Sequence, residues 1–262
     1  MVELEGIGLH TGQRATVRIH PESGPVRFRV GGVEFRPLAS QVVDTARCTV
    51  LGANGVRLMT VEHLLAALFI RGIWEGVLLE VTGPEIPILD GSAQEWLEAL
   101  EAFPSPDAAA WSLPAPLRLE EGRSSLLAQP AEAFSLLVTI AFPHPKIGYQ
   151  AVECPPTPLA ELAPARTFGF LSELEALRSQ GLIQGASLQN ALVFSDTEPL
   201  TPLRMLREPA MHKALDFLGD LYLAGVPYRG RFVVHRGSHR LHVELARRLQ
   251  PTWAELSASF QI

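Results

Sequence analysis

Runs with two different periods share this chain. Ala15-Thr16-Val17-Arg18-Ile19-His20 puts an apolar residue at every second position, and Val26 to Val30 does the same. Period two predicts half-buried strands. From Thr60 the spacing lengthens: Leu64, Leu65, Ala67 and Leu68 share one helical face, with Thr60 in place to cap it. Gly76 to Val81 predicts a strand, and Ser92 to Phe103 an amphipathic helix with Trp96, Leu97 and Leu100 inward. The second half repeats this grammar. Phe134 to Phe142 and Ala191 to Phe194 predict strands, and Ser172 to Gln180 a helix closed by Gly181. A helix from Ala210 to Ala224 stops at Gly225, followed by strand Arg231 to His235 and helix Leu241 to Leu249.

The halves meet at residues 103–116, FPSPDAAAWSLPAP, where each proline removes a backbone donor and resists helix continuation. The expected organisation is a first domain over 1–103, a linker over 104–116 and a second domain over 117–262. No short-period repeat is present, which argues against a solenoid. Strands and helices mix without strict alternation. The expected fold class is therefore α+β: two similar α/β sandwich domains packed together, each a sheet layered with helices.

Composition narrows the partners. Hydrophobic residues make up 47% and charged residues 19%, ample for a buried core. A net charge of −6 gives no whole-chain attraction for nucleic acid or an anionic membrane, so an anionic ligand needs a local cluster. Lys146 and Lys213 are the only lysines. Cys48 and Cys154 form neither a paired metal motif nor a disulfide framework, and read as buried thiols. The N-terminus has no basic, apolar leader pattern, and no apolar run approaches the roughly 20 residues that span a bilayer. A cytoplasmic protein without membrane insertion is expected.

The most chemical segment runs from Glu208 to Asp220, EPAMHKALDFLGD. His212, Asp216 and Asp220 recur every fourth position and line one helical stripe. An imidazole and a carboxylate one turn apart can share a metal ion, and the next carboxylate can orient another group. A solvated polar face with a helix-stabilising His–Asp pair is the competing reading. In Thr60-Val61-Glu62-His63, Glu62 suits the positive end of a helix dipole. Should His63 bind a metal, the adjacent Glu62 can serve a water beside it. Two histidines and an aspartate leave zinc one open position, as in hydrolytic sites. A third histidine is needed to protonate a departing amine; His239 is the candidate, with His235 and His242 as competitors.

Together these segments closely resemble the UDP-3-O-acyl-N-acetylglucosamine deacetylase family. The matching pieces, in the family's order, are residues 6–12 (GIGLHTG), 60–68 (TVEHLLAAL), 84–93 (PEIPILDGSA), 165–170 (ARTFGF), 212–225 (HKALDFLGDLYLAG) and Ser238-His239. The resemblance implies zinc held by His63, His212 and Asp216, with iron as an alternative metal. It implies Glu62 as general base, His239 as the acid for the leaving nitrogen, Asp220 as the orienter of His239, and Thr167 as an oxyanion donor. Lys213 and Phe168 would hold the UDP-sugar, Phe142 would stack near the uracil, and Arg166 to Gly185 would help build an apolar passage for the acyl chain. The active site would lie between the domains of a monomer. The implied reaction is zinc-dependent hydrolysis of the N-acetyl amide of UDP-3-O-(3-hydroxyacyl)-N-acetylglucosamine, committed to lipid A. A zinc amidase on another small N-acyl substrate, or a silent UDP-sugar or acyl-chain binding protein, are the alternatives. Ser238 stands where the family usually has Gly, and His242 where it commonly has Asn.

Overall fold

The computed structural model describes residues 1–105, 108–252 and 255. Positions 106 and 107 of the expected linker lie outside the described residues. In chain order the elements are β1 (Val2–Ile7), β2 (Arg14–Pro25), β3 (Arg27–Val30), β4 (Val33–Phe35), β5 (Val42–Asp44), β6 (Val50–Ala53), β7 (Val56–Leu58), α1 (Glu62–Arg71), β8 (Glu75–Thr82) and α2 (Gln94–Ala99). There follow β9 (Trp111–Ser112), β10 (Leu117–Glu121), β11 (Ser124–Gln129), β12 (Phe134–Phe142), β13 (Gly148–Cys154), β14 (Phe168–Phe170), α3 (Leu174–Ser179), β15 (Leu192–Phe194), α4 (Glu208–Tyr222), β16 (Tyr228–His235) and α5 (His239–Leu249).

The fold is mixed α+β. One sheet has the order β1-β2-β8-β3-β4, antiparallel except where β3 runs alongside β8. The other has the order β10-β11-β16-β12-β13, with β12 parallel to β16 and β9 paired beside β16. The alternation read from β2 places Ala15, Val17 and Ile19 in the core, against partly or fully exposed neighbours. Helix α4 lies against β12 and β13, α5 against β10 and β11, and α1 against α2 and α4. Both cysteine thiols are free and buried. Among the described residues no helix is long and apolar enough to cross a membrane.

Several boundaries differ from expectation, each for a local reason. Thr60 does not cap α1. Its backbone is left-handed (φ 59°), its hydroxyl donates to Glu85 Oε1 at 2.6 Å, and Val61 opens the helix without a side-chain cap. The helix expected over residues 92–103 is only α2 followed by a 3-10 turn at Leu100–Ala102, because the Ser92 hydroxyl is engaged by Asp90. Trp96 and Leu100 are buried as expected, whereas Leu97 is half-buried. Helices α4 and α5 each begin two residues early. Pro209 fits the first turn of α4, and the Ser238 hydroxyl accepts from Leu241 N at 3.3 Å to cap α5. His239 is thus in the first turn of a helix, not in the preceding loop.

The packing of α1 on α4 positions the site, and Gly219 permits it. A Cβ at this position would lie 2.0 Å from the Glu62 carbonyl oxygen. Glycine in a helix interior ordinarily costs about 1 kcal/mol relative to alanine. Here the balance reverses, because any side chain forces the helices apart. Gly219→Ala is expected to destabilise the protein by about 1–3 kcal/mol, as overpacked cores do. Denaturant titration checks this: a midpoint equal to that of the parent protein would show that the contact yields freely.

Candidate active site

The start of α1 and the middle of α4 bring three donors together. His212 Nε2 lies 3.3 Å and His63 Nε2 3.8 Å from Asp216 Oδ1, and all three side chains are buried. A tetrahedral ion bound at about 2.0–2.1 Å separates its ligand atoms by roughly 3.3 Å, so the spacing suits one small cation. His212 Nδ1 faces the Ala165 carbonyl at 3.1 Å, which leaves Nε2 for the cluster. Burial depresses the proton affinity of His63, and it pulls His212 down to about 3. Both rings are therefore neutral, with lone pairs available to a metal. Burial works against charge on Asp216, but His212, Lys213 and their neighbours outweigh it and hold that carboxyl well below its usual range. These donors fit a divalent metal.

One turn further along α4, fully buried Asp220 joins two more imidazoles. Its Oδ2 lies 2.8 Å from His239 Nδ1 and 3.0 Å from His242 Nδ1. Thr49 ties this group to α1: its hydroxyl donates to Asp220 Oδ1 at 2.6 Å and its N–H to Glu62 Oε2 at 3.1 Å. Burial is the largest influence on Glu62 and, with Asp216 and Asp220, pushes it up to about 7 against the opposing pull of His239. Burial would lower His239, but Asp220, Glu62 and Asp216 raise it to about 9. A carboxylate and an imidazolium with shifted affinities thus face one cleft of about 330 Å³.

The rim of that cleft comes from residues 142–168. Thr167 is fixed at both main-chain ends, its N–H donating to Gly91 O at 2.7 Å and its carbonyl accepting from Leu192 N at 2.8 Å. Gly91 tolerates no side chain, since a Cβ would meet Asn190 O at 2.1 Å. The Phe168 ring lies edge-on to Phe142 at 5.4 Å, and the Lys213 ammonium sits 5.6 Å from its centroid. Lys213 Nζ also donates to Asp216 Oδ2 at 2.7 Å, so in this state the ammonium is paired with the cluster. Beyond Phe168 an adjoining cavity of about 110 Å³ is lined by Leu174, Leu177, Ile183, Ala186 and Val193.

Comparison with known proteins bears on this arrangement. A sequence model of the family described as UDP-3-O-acyl N-acetylglycosamine deacetylase matches residues 1–251. The chain belongs to this deacetylase family. It is 44% identical to the UDP-3-O-acyl-N-acetylglucosamine deacetylase of Thermosynechococcus vestitus, over 92% of this chain and 89% of the relative. It is also similar to the enzymes of the same name from Trichormus variabilis (38% identical, 93% and 94% covered) and Nitratidesulfovibrio vulgaris (37%, 95% and 85%).

For this member of the deacetylase family, the residues singled out by sequence divide clearly. Glu62, His63, Phe142, Thr167, Phe168, His212, Lys213, Asp216 and His239 all border the larger cleft, with Asp220 behind His239. His242 borders it too, while His235 is engaged elsewhere, 2.8 Å from the Thr139 hydroxyl. Sequence reasoning missed Thr49, which links Glu62 to Asp220, and no pattern in its segment marks it. It also missed the fully buried Glu208 and the Arg166 that pairs with it at 2.8 Å. The charged residue opening the metal-bearing helix was the available signal.

Proposed function

We propose that the protein hydrolyses the N-acetyl amide of UDP-3-O-(3-hydroxyacyl)-N-acetylglucosamine, giving acetate and the free amine on the route to lipid A. The observation carrying this reading is the convergence of Glu62 and His239 on one cleft with His63, His212 and Asp216. Residues 1–103 and 117–262 would form two sandwich domains flanking that cleft, in a monomeric, cytoplasmic enzyme.

His63, His212 and Asp216 would hold the metal, zinc by preference for two imidazoles, with iron chemically admissible. When bound, such an ion acts as a Lewis acid toward the amide carbonyl and makes water more acidic. Glu62, held through Oε2 by Thr49 N–H, accepts the proton of the attacking water. As the new C–O bond forms, charge moves onto the carbonyl oxygen, where the Thr167 hydroxyl donates; such a donor contributes about 3 kcal/mol. His239, oriented through Nδ1 by Asp220, gives its Nε2 proton to the nitrogen as the C–N bond breaks. Lys213, 29% exposed, turns from Asp216 toward a phosphate oxygen of the UDP group, while Phe168 and Phe142 flank the nucleotide-sugar. The acyl chain enters the cavity beyond Phe168.

Purified protein should release acetate from this substrate, and chelation should stop the release reversibly. Glu62 works deprotonated, so the rate climbs as pH rises through its affinity of about 7. A bound cation beside it draws that limb to lower pH. His239 works protonated, so the rate falls above about 9. A bell-shaped profile is expected. Undiminished acetate release from metal-free protein would overturn the mechanism.

A further inference from the structure

We infer that His10 reads the acyl chain: its imidazole hydrogen-bonds a hydroxyl carried within the first few carbons of the ester, and so selects hydroxylated acyl substrates. This rests on the deacetylase reading above.

His10 is only 3% exposed, yet neither ring nitrogen has a hydrogen-bond partner. Buried polar groups are normally paired, and an orphaned one calls for an explanation. The ring is on the wall of the apolar cavity beyond Phe168. Leu9, Arg47, Thr167 and Phe168 line both that cavity and the reaction cleft, so His10 stands near their common opening. An acyl chain leaving the sugar would pass this point with the carbons nearest its ester.

The loop that carries His10 is held on two sides. Glu85 Oε1 accepts from His10 N at 2.9 Å, and the same carboxylate takes the Thr11 N–H and hydroxyl, each at 2.7 Å. From the other side Gln184 N donates to His10 O at 3.0 Å and Gly185 N to Leu9 O at 3.1 Å. Gly185 allows this approach, as a Cβ there would lie 2.2 Å from Gly8 O. The main chain around His10 is therefore satisfied while its ring is not, the arrangement of a group pre-positioned for a ligand.

Burial, opposed by Glu85, keeps the ring neutral, with one N–H donor and one bare acceptor. The Arg47 main chain beside the ring favours its proton, which directs the N–H to that side and leaves an acceptor for the passage. An acceptor requires a donor. A hydroxyl supplies one; an ester carbonyl does not, and neither does a plain hydrocarbon chain.

The test compares acetate release from two UDP-3-O-acyl-N-acetylglucosamine substrates of equal chain length, with and without a hydroxyl beside the ester. The parent protein should favour the hydroxylated substrate by about 10- to 100-fold in kcat/KM, since a site built for a hydroxyl rejects the analogue lacking it. His10→Leu should lose that preference by slowing only the hydroxylated substrate, and His10→Gln, which keeps a donor and an acceptor, should restore part of it. Equal turnover of both substrates by the parent overturns the inference and needs no variant. So does an equal loss on both in His10→Leu, which points to the ester carbonyl or a structural water. Release of acetate from neither substrate by the parent defeats the deacetylase reading instead.

Discussion

Glu62→Gln protein is expected to retain its metal and lose about 10²- to 10⁴-fold in kcat, the range that general-base catalysis contributes. The substitution keeps the shape of the side chain and an oxygen for the Thr49 N–H, now 3.1 Å from Oε2. It removes only the capacity to take a proton. The ligands His63, His212 and Asp216 remain, so metal content measured on the purified variant should match that of the parent. KM should change little, because the lost interaction develops as water attacks. Loss of metal together with rate would make Glu62 a ligand rather than a base. Retention of more than a tenth of the rate would move the base elsewhere in the cleft.

Glu208→Ala should be the most damaging substitution for stability, at about 3–5 kcal/mol, the cost of stranding one partner of a buried ion pair. Glu208 is fully buried at the start of α4, where its charge also complements the helix dipole. Oε1 accepts from Arg166 Nε at 2.8 Å and from Arg166 N at 3.2 Å, and Oε2 from Arg204 N at 2.8 Å. Truncation leaves an uncompensated guanidinium only 5% exposed and frees the segment leading to Thr167. Denaturant titration should show the loss. Replacing both partners, Arg166→Met with Glu208→Leu, should cost less than Glu208→Ala alone, because no buried charge is then orphaned. Equal losses would show that packing, not charge, governs the position.

Much of this molecule follows from local pattern. The strand at β12 and the turn-ending glycines at 181 and 225 were legible because a period of two and a positive φ (77° and 84°) leave marks in adjacent residues. The stripe of His212, Asp216 and Asp220 was legible for the same reason: helical periodicity puts every fourth residue on one face. Edge strands such as β1 and β10, with half-polar composition, left no such mark. Nor did the left-handed backbone at Thr60, which Glu85 holds from 25 residues away.

Alone, the sequence determined the α+β elements, the helical stripe and, by ordered motifs, the family. Only the tertiary structure decided how α1 meets α4. That contact depends on the absence of one Cβ at Gly219, and its consequence, a carboxylate 3.3 and 3.8 Å from two imidazoles, spans residues 63 to 216. Hydrophobic spacing records which face of an element is buried. It does not record what lies opposite, because that is set by close packing between distant segments.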